Sequence, residues 1–192
     1  MLLNFLKMLE TNFTPFPHLT TNRLLLRRVT NDDAPAVLSM RSDERVMQYI
    51  DRPRAVTIDD AKAFIKRIED ALVTNEGITW GIELKDTPGL LIGTIGYWRI
   101  MKEHYRAEIG YMLHPDQWKK GIMKEALVTV IDAGFNIVKL HSIEANINPE
   151  NIASANILRS TGFVKEAYFK ESFFYEGTFK DAEIYSRLQD TV

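Results

Sequence analysis

Residues 106–127 read RAEIGYMLHPDQWKKGIMKEAL, and this stretch decides the fold. A short alternating run carries one carboxylate, Glu108, and ends at Leu113. His114-Pro115 breaks it, and WKKGIM (118–123) then opens a long amphipathic helix. Met123, Leu127, Val130, Ile131, Gly134 and Val138 fall on one helical face, while Lys124, Asp132 and Asn136 fall elsewhere. A helix that starts at Gly121 leaves its first N–H groups without intrahelical partners. Together with the helix dipole they favour an anion. Gly121 lets a ligand approach the backbone closely, and Lys119, Lys120 and Lys124 add positive charge. A pyrophosphate suits such a turn; the plainer alternative is a helix start with a solvated lysine face.

Upstream, residues 11–22 hold Pro15 and Pro17 and read as an extended lead-in to a first strand over 23–29 (RLLLRRV). Thr30 caps a helix that carries Asp32 and Asp33 in its first turn. Thr57 caps a second helix, with Ala61, Phe64, Ile65, Ile68 and Leu72 at helical spacing. Residues 78–84 and 90–101 form a hairpin across the turn KDTPG. Downstream, 142–146 is a strand, Asn148-Pro149 opens a shorter helix that ends at a left-handed Gly162, and 164–174 and 179–188 close the chain as a hairpin. The order β-α-α-β-β-β-α-β-α-β-β predicts an α+β fold, a mixed sheet that is antiparallel in its middle with helices on both faces. Residues 1–20 read as an extension and 21–190 as one domain. Leu2, Phe5, Leu6 and Leu9 share one helical face and predict a short docking helix rather than a signal peptide.

The composition narrows the function. A chain of 192 residues can bury a substantial core. Its formal net charge of -2 argues against a general nucleic-acid-binding surface. There is no cysteine, which excludes disulfides, thiolate metal sites and cysteine nucleophiles and fits a reducing, cytoplasmic setting. No apolar run reaches the roughly 20 residues of a membrane span. The four histidines are scattered without metal-ligand spacing, so no metal is expected. GLLIGTIG (89–96) is neither followed by a helix nor spaced as a dinucleotide-binding turn, and Gly93 and Gly96 read as points of strand flexibility or a bulge. Walker and serine-elbow motifs are absent.

WKKGIM resembles the Q/R-x-x-G-x-G/A signature of GNAT N-acetyltransferases, here preceded by the strand AEIGYML and followed by a long helix. NPENIASANILRSTGF (148–163) is similar to the family's N-x-x-S/A helix with its terminal G-F, and TNRLLLRRVTNDD and EIYSRL resemble the ends of its RimJ/RimL-like branch. The resemblance implies a mostly antiparallel central sheet of about seven strands in three layers, and transfer of an acetyl group from acetyl-CoA to an amine. It implies that the turn Trp118, Lys119, Lys120, Gly121, Ile122, Met123 and Lys124 binds the pyrophosphate through its backbone. Met112 and Leu113 would bind the thioester and pantetheine arm through theirs. Trp118 and Met123 depart from the signature at its first and last positions.

Glu108 is the candidate general base, on the strand where the resemblance places the family's base; a surface glutamate at a sheet edge is the alternative. Burial against neighbours such as Tyr111 or Trp98 would tune it. Asn151 is the candidate to hold pantetheine and Ser154 to protonate the leaving thiol, against a plain reading of both as helix-capping residues. Leu158 occupies the position of the family's proton-donating tyrosine, and Tyr168 is a further donor candidate. An α-amine of pKa about 7.7 is about one-sixth neutral at pH 7, whereas a lysine near 10.4 is neutral in about one part in 2,500. The acceptor is therefore expected to be a protein N-terminus or a small amine. The competing readings are a non-catalytic CoA-binding module, and an antibiotic or polyamine acetyltransferase whose acidic cleft would draw on Asp43, Glu44 and Asp51. Phe169, Phe173, Phe174 and Tyr175 read as core or as the face of a homodimer rather than a substrate box.

Overall fold

The computed structural model describes residues 8–189. Eight strands among them form one sheet in the order β1-β2-β3-β4-β5-β6-β8-β7. They are β1 (Leu19–Thr20), β2 (Leu24–Arg28), β3 (Ile78–Leu84), β4 (Leu91–Met101), β5 (Arg106–Leu113), β6 (Ser142–Ile147), β7 (Val164–Tyr175) and β8 (Thr178–Leu188). The eighth, beyond the seven expected, is β1, two residues of the lead-in that pair with Leu25 and Leu26 of β2. Every neighbouring pair is antiparallel except β5–β6, which is parallel. The docking helix expected at the N-terminus lies mostly outside the described residues; Leu9, its last apolar position, is buried in the core with Phe13.

Helices α1 (Ala34–Ser42), α2 (Glu44–Met47) and α3 (Ile58–Val73) precede β3; α4 (Ile122–Ala133) and α5 (Ile152–Ser160) flank β6. The caps explain their limits. Thr57 and Asp60 form a reciprocal capping box that starts α3. Asp33 accepts the Thr30 N–H at 2.8 Å and initiates the turn that leads into α1. At the end of α5, Phe163 N–H donates to Leu158 O and Gly162 N–H to Arg159 O, the two bonds of a Schellman ending, with Gly162 at φ +86. The helix expected to open at Asn148-Pro149 starts later, at Ile152, because the Asn151 side chain accepts the Ser154 N–H at 3.0 Å and fixes the start there.

The two faces of the sheet hold different cores. Leu24, Trp80, Ile95, Tyr97, Ile109 and Leu113 pack with α4 and with Ala155 and Leu158 of α5. Val29, Leu91 and Met112 pack with α1 and α3 through Val37, Met40, Ala61 and Ile65. The two-residue period of β5 therefore sends Ala107, Ile109 and Leu113 to the α4 side, and Glu108, Gly110 and Met112 to the α1–α3 side. The amphipathic pattern of α4 runs on to Val138 as expected, but its last five residues, Gly134–Val138, wind as a π-helical turn.

Close approach sets the glycines of β4, and the expected bulge falls beside Gly93, where the β3–β4 register shifts between Ile82 and Glu83. A Cβ on Gly96 would lie 2.2 Å from Ile78 O, and one on Gly93 would lie 2.7 Å from Met112 O. Gly134 is similar, since its missing Cβ makes room for the fully buried Tyr97, whose hydroxyl donates to Val130 O at 2.8 Å. Phe169, Phe174 and Phe179 are more than half exposed, so the closing hairpin does not fold them into the core.

Gly134→Ala places a methyl 2.2 Å from the Tyr97 hydroxyl oxygen. Displacing that ring and its hydrogen bond is expected to cost about 1–3 kcal/mol. A denaturant midpoint equal to that of the wild type would contradict this.

Candidate functional site

β5 and β6 pair over three residues only, Arg106↔Ser142, Ala107↔Ile143 and Glu108↔Glu144. Beyond that point β5 pairs only with β4, and β6 only with β8. The two strands diverge and leave facing backbone edges. Into the gap opens a cleft of about 1190 Å³ whose lining includes Glu108, Tyr111, Met112, Asn146, Asn151 and Ser154.

Glu108 sits at the vertex. It is 6% exposed, opposite Arg99 on β4 and Glu144 on β6. Its nearest cation, the Arg99 guanidinium, is 3.8 Å away and mostly in solvent, while Arg106 takes up Glu144 at 2.6 Å. Burial raises the Glu108 carboxyl to about 7; Arg99 lowers it and Glu144 raises it. Of the neighbours expected to tune it, Trp98 follows a bulge between Tyr97 and Arg99 and lies half exposed over Gly110, on the Glu108 face of β5, while Tyr111 packs toward the other face.

The ladder also fixes which amides of β5 face the gap. His114 N–H donates to Ile92 O at 2.8 Å. Antiparallel bonding alternates by two residues, so the amides of Met112 and Gly110 point to β4, while those of Leu113 and Tyr111 point to the open edge. The Met112 amide, one of the two expected to bind the arm, is thus turned to β4, while those of Tyr111 and Leu113 face the gap.

Tyr111 is the residue that sequence reasoning treated only as a neighbour. Its hydroxyl lies 2.7 Å from the Ser154 hydroxyl, which joins β5 to α5 across the cleft. Burial pushes the Tyr111 phenol up to about 12, against a lowering by Ser154. The pair is protonated at neutral pH and faces the cleft from the side opposite Glu108. Leu158 is fully buried in the core. Tyr168 is half exposed outside this cleft, and its hydroxyl donates to Asp181. Asn151 caps α5, as its plain reading has it, and lines the cleft.

At the far end of β5, Lys119 (φ +60) and Gly121 (φ +75) bend the chain through the left-handed region into α4. Gly121 is the N-cap and supplies no side-chain bond, so the amides of Ile122, Met123 and Lys124 stay open, as at any uncapped helix start. The side chains of Ile122 and Met123 turn into the core, which leaves only their backbone for a ligand and explains why a bulky Met123 is tolerated. Trp118, where the signature has Gln or Arg, donates its indole N–H to Leu113 O at 2.8 Å and ties the turn to the strand end. Arg23 adds an unforeseen brace, donating to Lys120 O at 3.0 Å and pairing with Glu125 at 2.6 Å. Lys119, Lys120 and Lys124 are exposed.

The acids proposed for a cation-binding cleft do not assemble. Asp43 caps α2 and binds Arg45, Glu44 points to solvent, and only Asp51 lines the cleft.

Residues 23–164 match the family model described as an acetyltransferase (GNAT) domain. The uncharacterized N-acetyltransferase YoaA of Bacillus subtilis is 36% identical over 171 residues, which is 89% of this chain and 96% of that protein. A GNAT-family acetyltransferase structure from Bacillus anthracis superposes with a TM-score of 0.81 at 28% identity, covering 91% of this chain and all of that one. RimL, a ribosomal α-N-protein acetyltransferase solved with coenzyme A, superposes with a TM-score of 0.82 over 91% of this chain and 99% of its own; at 18% identity that likeness speaks for the fold.

Ionising Glu108 in its buried position costs stability. Its folded pKa lies above the unfolded value, so the protonated form is favoured on folding, and that contribution is lost as pH rises through about 7. Glu108→Gln is therefore expected to be more stable than wild type at pH 8, by on the order of 2 kcal/mol, with the gap closing toward pH 5. Urea titrations at the two pH values read this directly; a gap that does not change with pH would refute it.

Proposed function

Because the chain belongs to the GNAT N-acetyltransferase family, we propose that this cleft moves an acetyl group from acetyl-CoA directly to a primary amine, with Glu108 as base and the Ser154–Tyr111 pair as acid. The observation that carries the reading is the divergence of β5 and β6 immediately after Glu108. It offers an extended ligand a strand edge to bond with, and a buried carboxylate at the end of that edge.

The residues present fit the co-substrate. The open amides of Tyr111 and Leu113 match an arm that lies along β5, and the uncapped start of α4 at Gly121 matches its phosphates. Lys119, Lys120 and Lys124 add charge around that turn, and Asn151 borders the arm from α5. Bound acetyl-CoA supplies an activated acyl group. Glu108 takes the proton that the amine loses as its nitrogen bonds to the acyl carbon. The amides at the open edge stabilise charge on the acyl oxygen. Ser154 gives its proton to the departing sulfur and takes one from Tyr111, which regains its own from solvent at the open cleft. A carboxyl that titrates near 7 is matched to this task at neutral pH.

An α-amine, at a protein N-terminus or on a small molecule, is the acceptor that such a base serves best, since it is already partly neutral. The polyamine alternative draws less support, because of the three acids expected for it only Asp51 lines the cleft. The exposed phenylalanines of β7 and β8 support a homodimer formed through the closing hairpin. No helix among the described residues is long and apolar enough to cross a membrane, and with the lack of cysteine this supports a cytoplasmic location. Residues 21–190 are proposed as the catalytic domain, with the preceding segment packed onto it through Leu9 and Phe13.

Thiol release from acetyl-CoA across an amine panel tests the transfer. Glu108→Gln should lower kcat by about 10²–10⁴-fold while binding acetyl-CoA as wild type does. The wild-type kcat/KM should rise with pH as Glu108 ionises near 7 and level off only above the α-amine's own pKa of about 7.7. Undiminished turnover in the variant would remove Glu108 from the reaction, and tight CoA binding with no acetylated amine would favour a non-catalytic module. Gly121→Val forces a β-branched residue to φ +75 and should weaken acetyl-CoA by about tenfold or more in a chain that still folds. Isothermal titration with unchanged affinity would contradict the phosphate turn.

A further inference from the structure

The cleft has a second charged group that the transfer chemistry does not use. Arg41, in the last turn of α1, is 7% exposed and lines the same cleft as Glu108. It comes from the helix layer that covers the Glu108 face of the sheet. Its guanidinium stacks on the Phe64 ring at 4.4 Å. The same ring carries Arg67 at 5.7 Å on the solvent side.

No carboxylate answers these charges. The charged groups that act on Arg41 are Arg67 and Arg52, both of like sign, and with burial they lower its pKa. The acids of the cleft are engaged elsewhere. Asp60 accepts the Val56 and Thr57 amides at the start of α3. Asp181 accepts from Tyr168 and from the Glu171 amide. Glu108 faces Arg99, and Asp51 is not among the charges that act on Arg41. A buried guanidinium with no anionic partner is costly, and such charges are normally paired. One that is held in place by an aromatic face and opens into a cleft is preorganised for an anion that arrives from outside.

We propose that Arg41, with Arg67 and Arg52 beside it, is an anion subsite in the acceptor half of the cleft, so that the amine acetylated at Glu108 belongs to a molecule that also carries a carboxylate or a phosphate. The inference rests on the acetyl-transfer reading for its acceptor and narrows it to a class. A guanidinium takes either anion in a bidentate grip. The same three charges repel a polycation, which separates this acceptor class from polyamines by repulsion as well as by attraction.

The full-length protein, saturated with acetyl-CoA so that its phosphate turn is filled, is titrated calorimetrically with inorganic phosphate and with N-acetylglutamate, neither of which can be acetylated. Wild type should bind both. Arg41→Met, which keeps the packing on Phe64, and Arg67→Gln, on an exposed side chain, should each weaken binding by about tenfold or more. Arg67→Gln keeps the test decisive should Arg41→Met fail to fold. In turnover, alanyl-glutamate amide should exceed alanyl-lysine amide in kcat/KM by about tenfold or more, and Arg41→Met should shrink that ratio while leaving the KM for acetyl-CoA unchanged. The proposal is overturned by absent binding in the wild type, by equal affinities in the variants, or by a preference for the lysyl peptide or spermidine. It is equally overturned if phosphate binds only the free protein and CoA displaces it, which would assign these arginines to the co-substrate. Absence of thiol release with any amine would sink the transfer reading instead, and the calorimetric arm, which needs no turnover, judges the subsite apart from it.

Discussion

The structure depends on two parallel strands that stop pairing. β5 and β6 share three residue pairs and then part, yet neither strand is frayed. β5 is held on its other edge by eight pairs to β4, and β6 by six to β8. The rest of the sheet thus fixes the gap from outside. Close approach contributes as well, because the bare glycines Gly93 and Gly96 let β3, β4 and β5 lie tightly together. Backbone amides that face a gap need a partner, and a sheet that keeps such an edge open in its middle is built to receive a ligand there.

The pleat of β5 then divides the chemistry. Alternation sends Glu108 to the face covered by α1 and α3, while Tyr111 packs toward the α4 and α5 side, where it meets Ser154. Glu108 and the Tyr111–Ser154 pair, the proposed base and acid, therefore lie on opposite faces of one strand with two residues between Glu108 and Tyr111. A one-residue slip of β5 would exchange the two faces. The tie from Trp118 to Leu113 O and the brace from Arg23 to Lys120 O hold that register against the turn that opens α4.

Much of this was legible because it is local. Thr57 with Asp60, Gly121 before an amphipathic run, and Gly162 before an aromatic each write a helix boundary into a few adjacent residues, and the structure follows them. Glu108 could be picked out because it is the lone carboxylate of a strand leading into the turn. Its environment could not, since Arg99 and Glu144 reach it across two different strand pairings. The bulge at Trp98 left no mark in the alternation of 90–101. The Tyr111–Ser154 bond spans 43 residues, and the Arg23–Glu125 brace spans 102. Arg41 was the least visible of all. In sequence it is one more basic residue near a helix end, and its isolation appears only when the groups packed around it are known.

The chain also contains the counterexample that gives Arg41 and Glu108 their meaning. Arg27 grips Asp33 with two bonds of 2.8 and 2.9 Å and Glu83 with one of 2.5 Å. For both acids burial works to raise the pKa, but hydrogen bonding and charge from Arg27 outweigh it and leave them below the usual carboxylate range. That is how this fold closes a buried charge. In the cleft it does the opposite. Glu108 is left with one loose cation at 3.8 Å, and Arg41 is given a ring and two more arginines. Were the two paired with each other, the carboxyl would fall out of the range useful to a base at neutral pH and the guanidinium would be quenched. Keeping them apart costs stability, and it leaves both charges open to the cleft, where the proposed acceptor of complementary charge would meet them.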